Sequence, residues 1–595
     1  MGIGNFIRGL WPPRNYYLKP PTIGMFFNRV VFDFALENPE LLSLARILER
    51  FGIYRHNSRL TDVSGRFRQT QNHRFRVDLK ILRSYDFERL TPQEQISYRV
   101  LEWYLENEAR RQPFLYHDYP VNQLSGVHKE LPTFMITIHQ LETGRDARHY
   151  IQRLKGFKRK LRQVTRRMQK AAKQGIYPPR FVVEKVIQEL DEFVKPKAKS
   201  HSLFTTFQSK VRNLNRVSPR QARKYCQAVE EALQEHVYPA YQELRQYFNS
   251  ILEQVSDDDG VWKLPDGERY YAYVLRSHLT TDLSPREVHD LGWREMERIE
   301  GELRLALEKL GYDTAQPLAA TLQSLNVDER FTYPDDYEGR LACLDAYEQM
   351  VREAEQKLPE LVADVPQKEV IIERLPRFKE STSPEAYYEP PSYGGDRSGI
   401  FYVNLGDMRK VVKWAMPTLA YHETVPGHHL QVALQMELEE VPFFRKIIPF
   451  TAFVEGWALY AERLAYEEGW LKDEYANIGR LQSELLRAVR LIVDTGIHWK
   501  RWTRQEAIAF MRQHAGMPEP AIVAEVERYI VNPGQACAYK IGELKLLALR
   551  DKVKQTLGDR YDAKAFHSLL LNNGSIPLDV LELIVDEYLA QHADS

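Results

Sequence analysis

The 595-residue chain carries 82 Lys+Arg against 82 Asp+Glu, so it has no net charge. That balance argues against the broad field that draws a protein to nucleic acid or an anionic membrane, and neither is expected as a partner. With 43% hydrophobic and 28% charged residues it reads as an ordinary globular chain, long enough for more than one domain. Cys226, Cys343 and Cys537 lie far apart, an odd and sparse set that suits neither a disulfide framework nor a paired-cysteine metal site.

In chain order, Met1 to Pro13 shows no long apolar run and no small-residue cleavage site. Phe6 stands where a myristoylation signal needs Ser or Thr. Nothing later reaches 18 consecutive apolar residues. Residues 25–50 read as one or two amphipathic helices, and the polar stretch Asn57 to Asn72 as loop. Thr91-Pro92-Gln93-Glu94 opens a helix over 88–110: threonine caps, proline takes the first turn and glutamate sits three residues on. Asn122-Gln123-Leu124-Ser125-Gly126 then breaks the helices.

Ile151, Leu154, Phe157, Leu161, Val164 and Met168 recur at helical spacing, with the opposite face crowded with Lys and Arg. That face reads as solvated and balanced by acids elsewhere, because no aromatic residues are interleaved to stack on bases. A helical run over 218–255 ends at Ser256-Asp257-Asp258-Asp259-Gly260, the best boundary between an N-terminal helical half (1–259) and a second half (260–595). Ser284-Pro285-Arg286-Glu287 is a capping box opening a helix through 310. Val370-Ile371-Ile372 and Gly399 to Asn404 read as strands, with Pro390 to Arg397 looping between them.

The chemistry concentrates in Tyr421-His422-Glu423-Thr424-Val425-Pro426-Gly427-His428-His429. A zinc hydrolase needs imidazole ligands and a nearby carboxylate to take a proton from water. The common arrangement, H-E-x-x-H, fails here because Pro426 occupies the fourth position. On a straight helix, at about 100° per residue, His429 shares the face of His422 while His428 does not. Two such histidines are nevertheless too far apart along the axis to meet at one ion unaided. Proline disturbs the helix and glycine tolerates unusual dihedrals, so Pro426-Gly427 is expected to form a local bulge that brings a second histidine under the first. Phe453-Val454-Glu455-Gly456-Trp457-Ala458-Leu459-Tyr460-Ala461-Glu462 supplies the third ligand candidate, Glu455, with Glu462 on nearly the same helical face.

These two motifs resemble the domain of unknown function 885 family, and the similarity runs from about Asn122 to Leu581. That family in turn resembles helical zinc peptidases such as thimet oligopeptidase, angiotensin-converting enzyme and carboxypeptidase Taq. The resemblance implies a mainly α-helical, two-lobed fold with a small β-sheet beside the metal-binding helix and a deep cleft. It implies one Zn²⁺ per chain, with Gly427-His428 matched to the Gly-His pair of those enzymes. His422, His428 and Glu455 are then the ligands, with His429 in reserve, and Glu423 is the general base. Gly399 to Asn404 is similar to the edge strand that holds substrate backbone in those enzymes. Some family members look like exported lipoproteins; lacking such a signal and an acceptor cysteine, this chain is expected in the cytoplasm.

Around that core, Tyr539 resembles the late tyrosine that polarises the carbonyl in the related peptidases, and a packed core tyrosine is the alternative. His498 with Asp494 four residues earlier suggests an Asp-His pair, either an oxyanion contact or a buried structural pair. Glu462 reads as the carboxylate behind a ligand imidazole, or as a surface acid. Arg397 and Arg550 are candidates for gripping a peptide carboxylate, with Tyr402 beside the substrate. The expected function is zinc-dependent hydrolysis of short peptides. The alternatives are a zinc hydrolase of another amide or ester, and a non-catalytic helical binding protein with a relic site.

Overall fold

The computed structural model describes residues 17–46, 48–377, 380, 384–391 and 397–592. Met1 to Pro13 and most of the loop expected at 390–397 lie outside the described residues. The chain forms two compact units. One comprises Met1–Tyr85, Tyr104–Asp259 and Lys263–Gly267; the other comprises Asp86–Trp103, Gly260–Trp262 and Glu268–Ser595.

The first unit is helical. Its longest helix, α1 (Gly144–Ala172), starts at a reciprocal Thr143–Asp146 capping box. The apolar stripe Ile151, Leu154, Phe157, Leu161, Val164 and Met168 is buried. The basic face is matched by acids of the same unit: Lys160 pairs with Glu40, Arg162 with Glu243 and Arg167 with Asp118. The expected loop at Asn57 to Asn72 is corrected in part. Ser64 caps a helix over Gly65–Leu82, which buries Asn72, Arg74 and Asp78 in place of an apolar stripe.

The second unit is built on long helices around a small sheet. Helix α2 (Pro285–Lys309) begins at the Ser284–Glu287 capping box. Helix α3 (Tyr337–Leu361) precedes the strands β1 (Val370–Arg374), β2 (Ala386–Glu389) and β3 (Gly399–Val403). The sheet order is β1-β3-β2, with β3 parallel to β1 and antiparallel to β2. This corrects the reading of Gly399 to Asn404 as an edge strand. β3 is the middle strand, its backbone paired on both sides, and the edges belong to β1 and to β2, which the sequence did not reveal. Phe401 and Val403 of β3 pack with Tyr347 and Val351 of α3 and with Met416 and Ala420. Burying Phe401, Val403, Val351 or Met416 contributes about 1.5–3 kcal/mol each.

After the sheet come α4 (Met416–Glu423), α5 (His428–Glu437), α6 (Thr451–Glu467), α7 (Glu474–His498) and α8 (Ala538–Leu557). Helices α6 and α8 cross at a pair of glycines. A Cβ on Gly456 would stand 2.5 Å from the Gly542 Cα, and one on Gly542 would stand 1.9 Å from the Ala452 carbonyl oxygen. No larger residue permits that approach. It brings the first turn of α6, with Glu455, beside the start of α8, with Tyr539.

Candidate metal centre

The helix expected to carry the histidines is two helices. Helix α4 ends at Glu423, the Val425–Pro426 peptide is cis, and α5 begins at His428. Thr424 holds the break together: its N–H and hydroxyl donate to the Ala420 carbonyl, and its own carbonyl accepts the His429 N–H. The Pro426 carbonyl accepts the Trp457 indole N–H at 2.9 Å, which ties the break to α6. Gly427 lies so close to α4 that a Cβ would meet the His422 carbonyl oxygen at 2.0 Å. Proline and glycine thus interrupt the helix, and the His429 N–H reaches five residues back to the Thr424 carbonyl.

Across that interruption His422 and His428 come together, their ring centroids 4.7 Å apart and nearly perpendicular. Glu455 approaches both. Its Oε2 is 3.8 Å from His422 Nε2 and 3.5 Å from His428 Nε2. The three ligand atoms lie within 4.8 Å of one another. Two ligands each about 2.0–2.1 Å from one tetrahedral ion stand roughly 3.3–3.4 Å apart, so the donor set and its spacing fit a zinc ion with small adjustment. The Glu455 side chain is 20% exposed and that of His428 12%, so the cluster is open on that side to a ligand.

The supporting groups are in place. Glu462, buried on α6, sits 2.7 Å from His422 Nδ1, which fixes the ring and leaves Nε2 for an ion. Glu423 accepts the Tyr388 backbone N–H at 2.9 Å, so the outer edge of β2 holds the candidate base. Burial alone would lower the His428 pKa, but the hydrogen bond and charge of Glu455, with Glu423 and Glu462, raise it above its ordinary 6.5. Burial would likewise raise Glu455, yet His428, His422 and Arg490 hold it down to about 2. His429 is not available as the reserve ligand. Its Nδ1 meets the Tyr388 hydroxyl at 2.9 Å and its Nε2 the Lys368 carbonyl at 2.8 Å, and burial lowers its pKa to about 4.

Tyr539 is partly exposed at the start of α8, near enough to Glu455 for that carboxylate to add to the effect of burial in raising its pKa. Its ring lies 4.7 Å from the Arg490 guanidinium. The Asp494–His498 pair is a correction, since neither residue meets the other. His498 takes the Val261 N–H on Nδ1 and reaches the Tyr529 carbonyl with Nε2. Asp494 accepts the Tyr271 hydroxyl at 2.7 Å and the Gly534 N–H at 3.0 Å, and burial pushes its pKa up to about 7. Both are fully buried and fully engaged, so no oxyanion role is open to His498.

Arg550 and Arg397 are corrected too. Arg550 forks onto Glu467 at 2.6 and 3.2 Å. Arg397 pairs with Glu389 and donates to the Pro390 carbonyl. Tyr402 packs against Tyr387, ring centroids 5.3 Å apart, on the sheet face opposite Phe401. Sequence reasoning missed Tyr388 and Arg490. The only signal for Arg490 was a charged residue within the apolar pattern of α7.

No curated protein matches the chain. Among solved structures it is similar to a "putative lipoprotein" from Colwellia psychrerythraea, with 30% identity, a TM-score of 0.89, and coverage of 93% of this chain and 98% of that one. It shares its fold with a "putative lipoprotein of unknown function" from Shewanella oneidensis, at 18% identity and a TM-score of 0.72, over 95% of this chain and 100% of that one. These two structures overturn the cytoplasmic expectation, because lipoproteins are held at membranes by a lipid. That expectation rests on a missing signal and a missing acceptor cysteine, and an absence is not a positive address. Among the described residues no helix is long and apolar enough to cross a membrane. The model of a family described as bacterial protein of unknown function (DUF885) matches residues 48–585, and the chain belongs to that family.

Proposed function

We propose that the chain is a zinc-dependent metallopeptidase that holds one Zn²⁺ and hydrolyses short peptides. The observation that carries this reading is the convergence of His422, His428 and Glu455, with Glu462 behind one ligand and Glu423 beside them. A core cluster needs no carboxylate at the position of Glu423, whereas hydrolysis needs a base there. The restriction to short peptides rests on the resemblance to helical zinc peptidases alone.

Bound zinc would supply Lewis-acid polarisation of water and of the substrate carbonyl. Glu423, steadied by the Tyr388 N–H, takes the proton of the attacking water and returns it to the departing amine. Tyr539 donates its hydroxyl to the oxyanion that develops on the carbonyl oxygen. Glu462 keeps the His422 ring oriented and its tautomer fixed.

The test is a peptide-library digest read by mass spectrometry, run on zinc-loaded wild type and on Glu423→Gln. The substitution keeps the shape and cannot accept a proton, so turnover should fall by about 10²–10⁴ with zinc retained. Equal cleavage by both proteins, or no cleavage by either, contradicts the reading.

A further inference from the structure

Beside the metal cluster, α7 presents a guanidinium whose surroundings no structural role explains in full. Arg490 is 7% exposed. Its Nε and Nη2 donate to Glu525 Oε2 at 3.0 and 2.8 Å, and Nε also reaches the Tyr529 hydroxyl at 3.2 Å. Tyr529 in turn donates to Glu525 at 2.6 Å. One edge of the guanidinium is thereby fixed in plane. The other end, Nη1, is buried with no hydrogen-bond partner. Because Nε and Nη2 share the edge facing Glu525, the hydrogens of Nη1 point away from that carboxylate.

The local charges are unequal. Arg528 forks onto the same Glu525 through Nε and Nη2. Arg487, one turn before Arg490 on α7, lies 6.0 Å from the Tyr539 ring, donates Nη1 to the Ser483 carbonyl and leaves Nε without a partner. Arg490 and Arg528 thus share one carboxylate, Glu525, and Arg487 stands over the same Tyr539 ring as Arg490. Other acids feel these groups: Glu455 feels Arg490, Asp494 feels Arg528, and Glu385 feels Lys410 and then Arg487. With Glu455 engaged by a divalent ion, Arg490 and Arg487 are the guanidiniums that remain against the Tyr539 ring.

We propose that Arg490 is a carboxylate-binding residue of this centre, offering Nη1 to the free C-terminal carboxylate of a bound peptide. The proposal rests on the metal-centre reading above and names the substrate class that centre would take. A planar guanidinium already fixed along one edge loses little freedom on gripping a planar carboxylate with its other end. Arg490 replaces Arg397 and Arg550 in this role, because those two are engaged with their own glutamates.

The experiment is equilibrium dialysis of zinc-loaded Glu423→Gln protein against two pools of N-acetylated tripeptides. The pools have identical sequences, one ending in free carboxylates and the other in amides. The acid pool should be retained at least about tenfold more than the amide pool, with no change made at Arg490. Arg490→Met should then bring the acid pool down to the amide level, and Arg490→Lys should restore part of the preference. Equal retention of the two pools, or retention of neither, overturns the assignment. The two proposals fail separately. Wild type that cleaves acid and amide twins equally keeps the peptidase reading and discards the carboxylate role. Tenfold selective binding without cleavage of either pool does the reverse.

Discussion

Two regions of the second unit combine histidine and carboxylate in the interior, and they differ in what is left over. Around Asp494 and His498 every ring nitrogen has a backbone partner and the carboxylate accepts from Tyr271 and Gly534. Around His422, His428 and Glu455, the carboxylate faces the two imidazoles at 3.5 and 3.8 Å, with Glu462 satisfying only the far side of the His422 ring. The first region is a closed hydrogen-bonded clasp, which holds the turn before α8 to the end of α7. The second has the spacing that one ion would close. Both combine imidazole with carboxylate; unused valence separates a site from a core.

The comparison can be broken most severely at Tyr539. Tyr539→Phe should keep zinc and fold normally, while kcat falls by about 10²–10³ with KM little changed. Steady-state kinetics on any peptide the wild type cleaves decides it, and an unchanged kcat would remove Tyr539 from the mechanism. The open region should next respond to loss of its support. Glu462→Ala should weaken zinc affinity by about 10–100-fold, measured by competition with a chelator, because the His422 ring loses its orienting partner. Unaltered affinity would make Glu462 a packing residue only.

A pH series sharpens the contrast. In the ion-free protein the His428 pKa is raised above 6.5, so the stability it gains from Glu455 is present below 6.5 and lost as pH rises through the raised value. Glu455, lowered to about 2 from 4.5, contributes stability present above 4.5 and lost as pH falls through about 2. The pair is thus most stabilising between those limits. Zinc must displace the His428 proton, so its affinity should climb by up to about tenfold per pH unit until that proton is gone. A zinc affinity flat from pH 6 to 8 would contradict this. The smallest effect belongs to the closed region. Asp494→Ala should cost roughly 1–3 kcal/mol of stability in denaturant melts and leave zinc stoichiometry unchanged, since the Tyr271 hydroxyl and Gly534 N–H lose their acceptor.

Much of this was legible because it is local. The Ser284–Glu287 box, the stripe of α1 and the Pro426-Gly427 break each declare themselves within a few residues. What was not legible depends on distant partners. β2 is four residues long, and its place at the sheet edge, like the central place of β3, is fixed only by pairing across the chain. The first part of the helix over Gly65–Leu82, up to Asn72, reads as loop because the helix buries the polar Asn72, Arg74 and Asp78 along with Ile81 and Leu82. His428 and His429 are neighbours that the Gly-His resemblance separates, and Tyr388 and Lys368, distant in sequence, supply the physical reason by engaging both nitrogens of His429. Asp494 and His498 have the spacing of a pair, yet each finds a better partner on another segment.

The central claim is that His422, His428 and Glu455 hold a metal ion. Elemental analysis of protein purified without chelator, alongside His428→Ala and His429→Ala, tests it most directly. One zinc per chain in the wild type and in His429→Ala, with none in His428→Ala, is the predicted result. Wild type that contains no transition metal and takes up none when zinc is added, or zinc lost from His429→Ala and kept in His428→Ala, would contradict it.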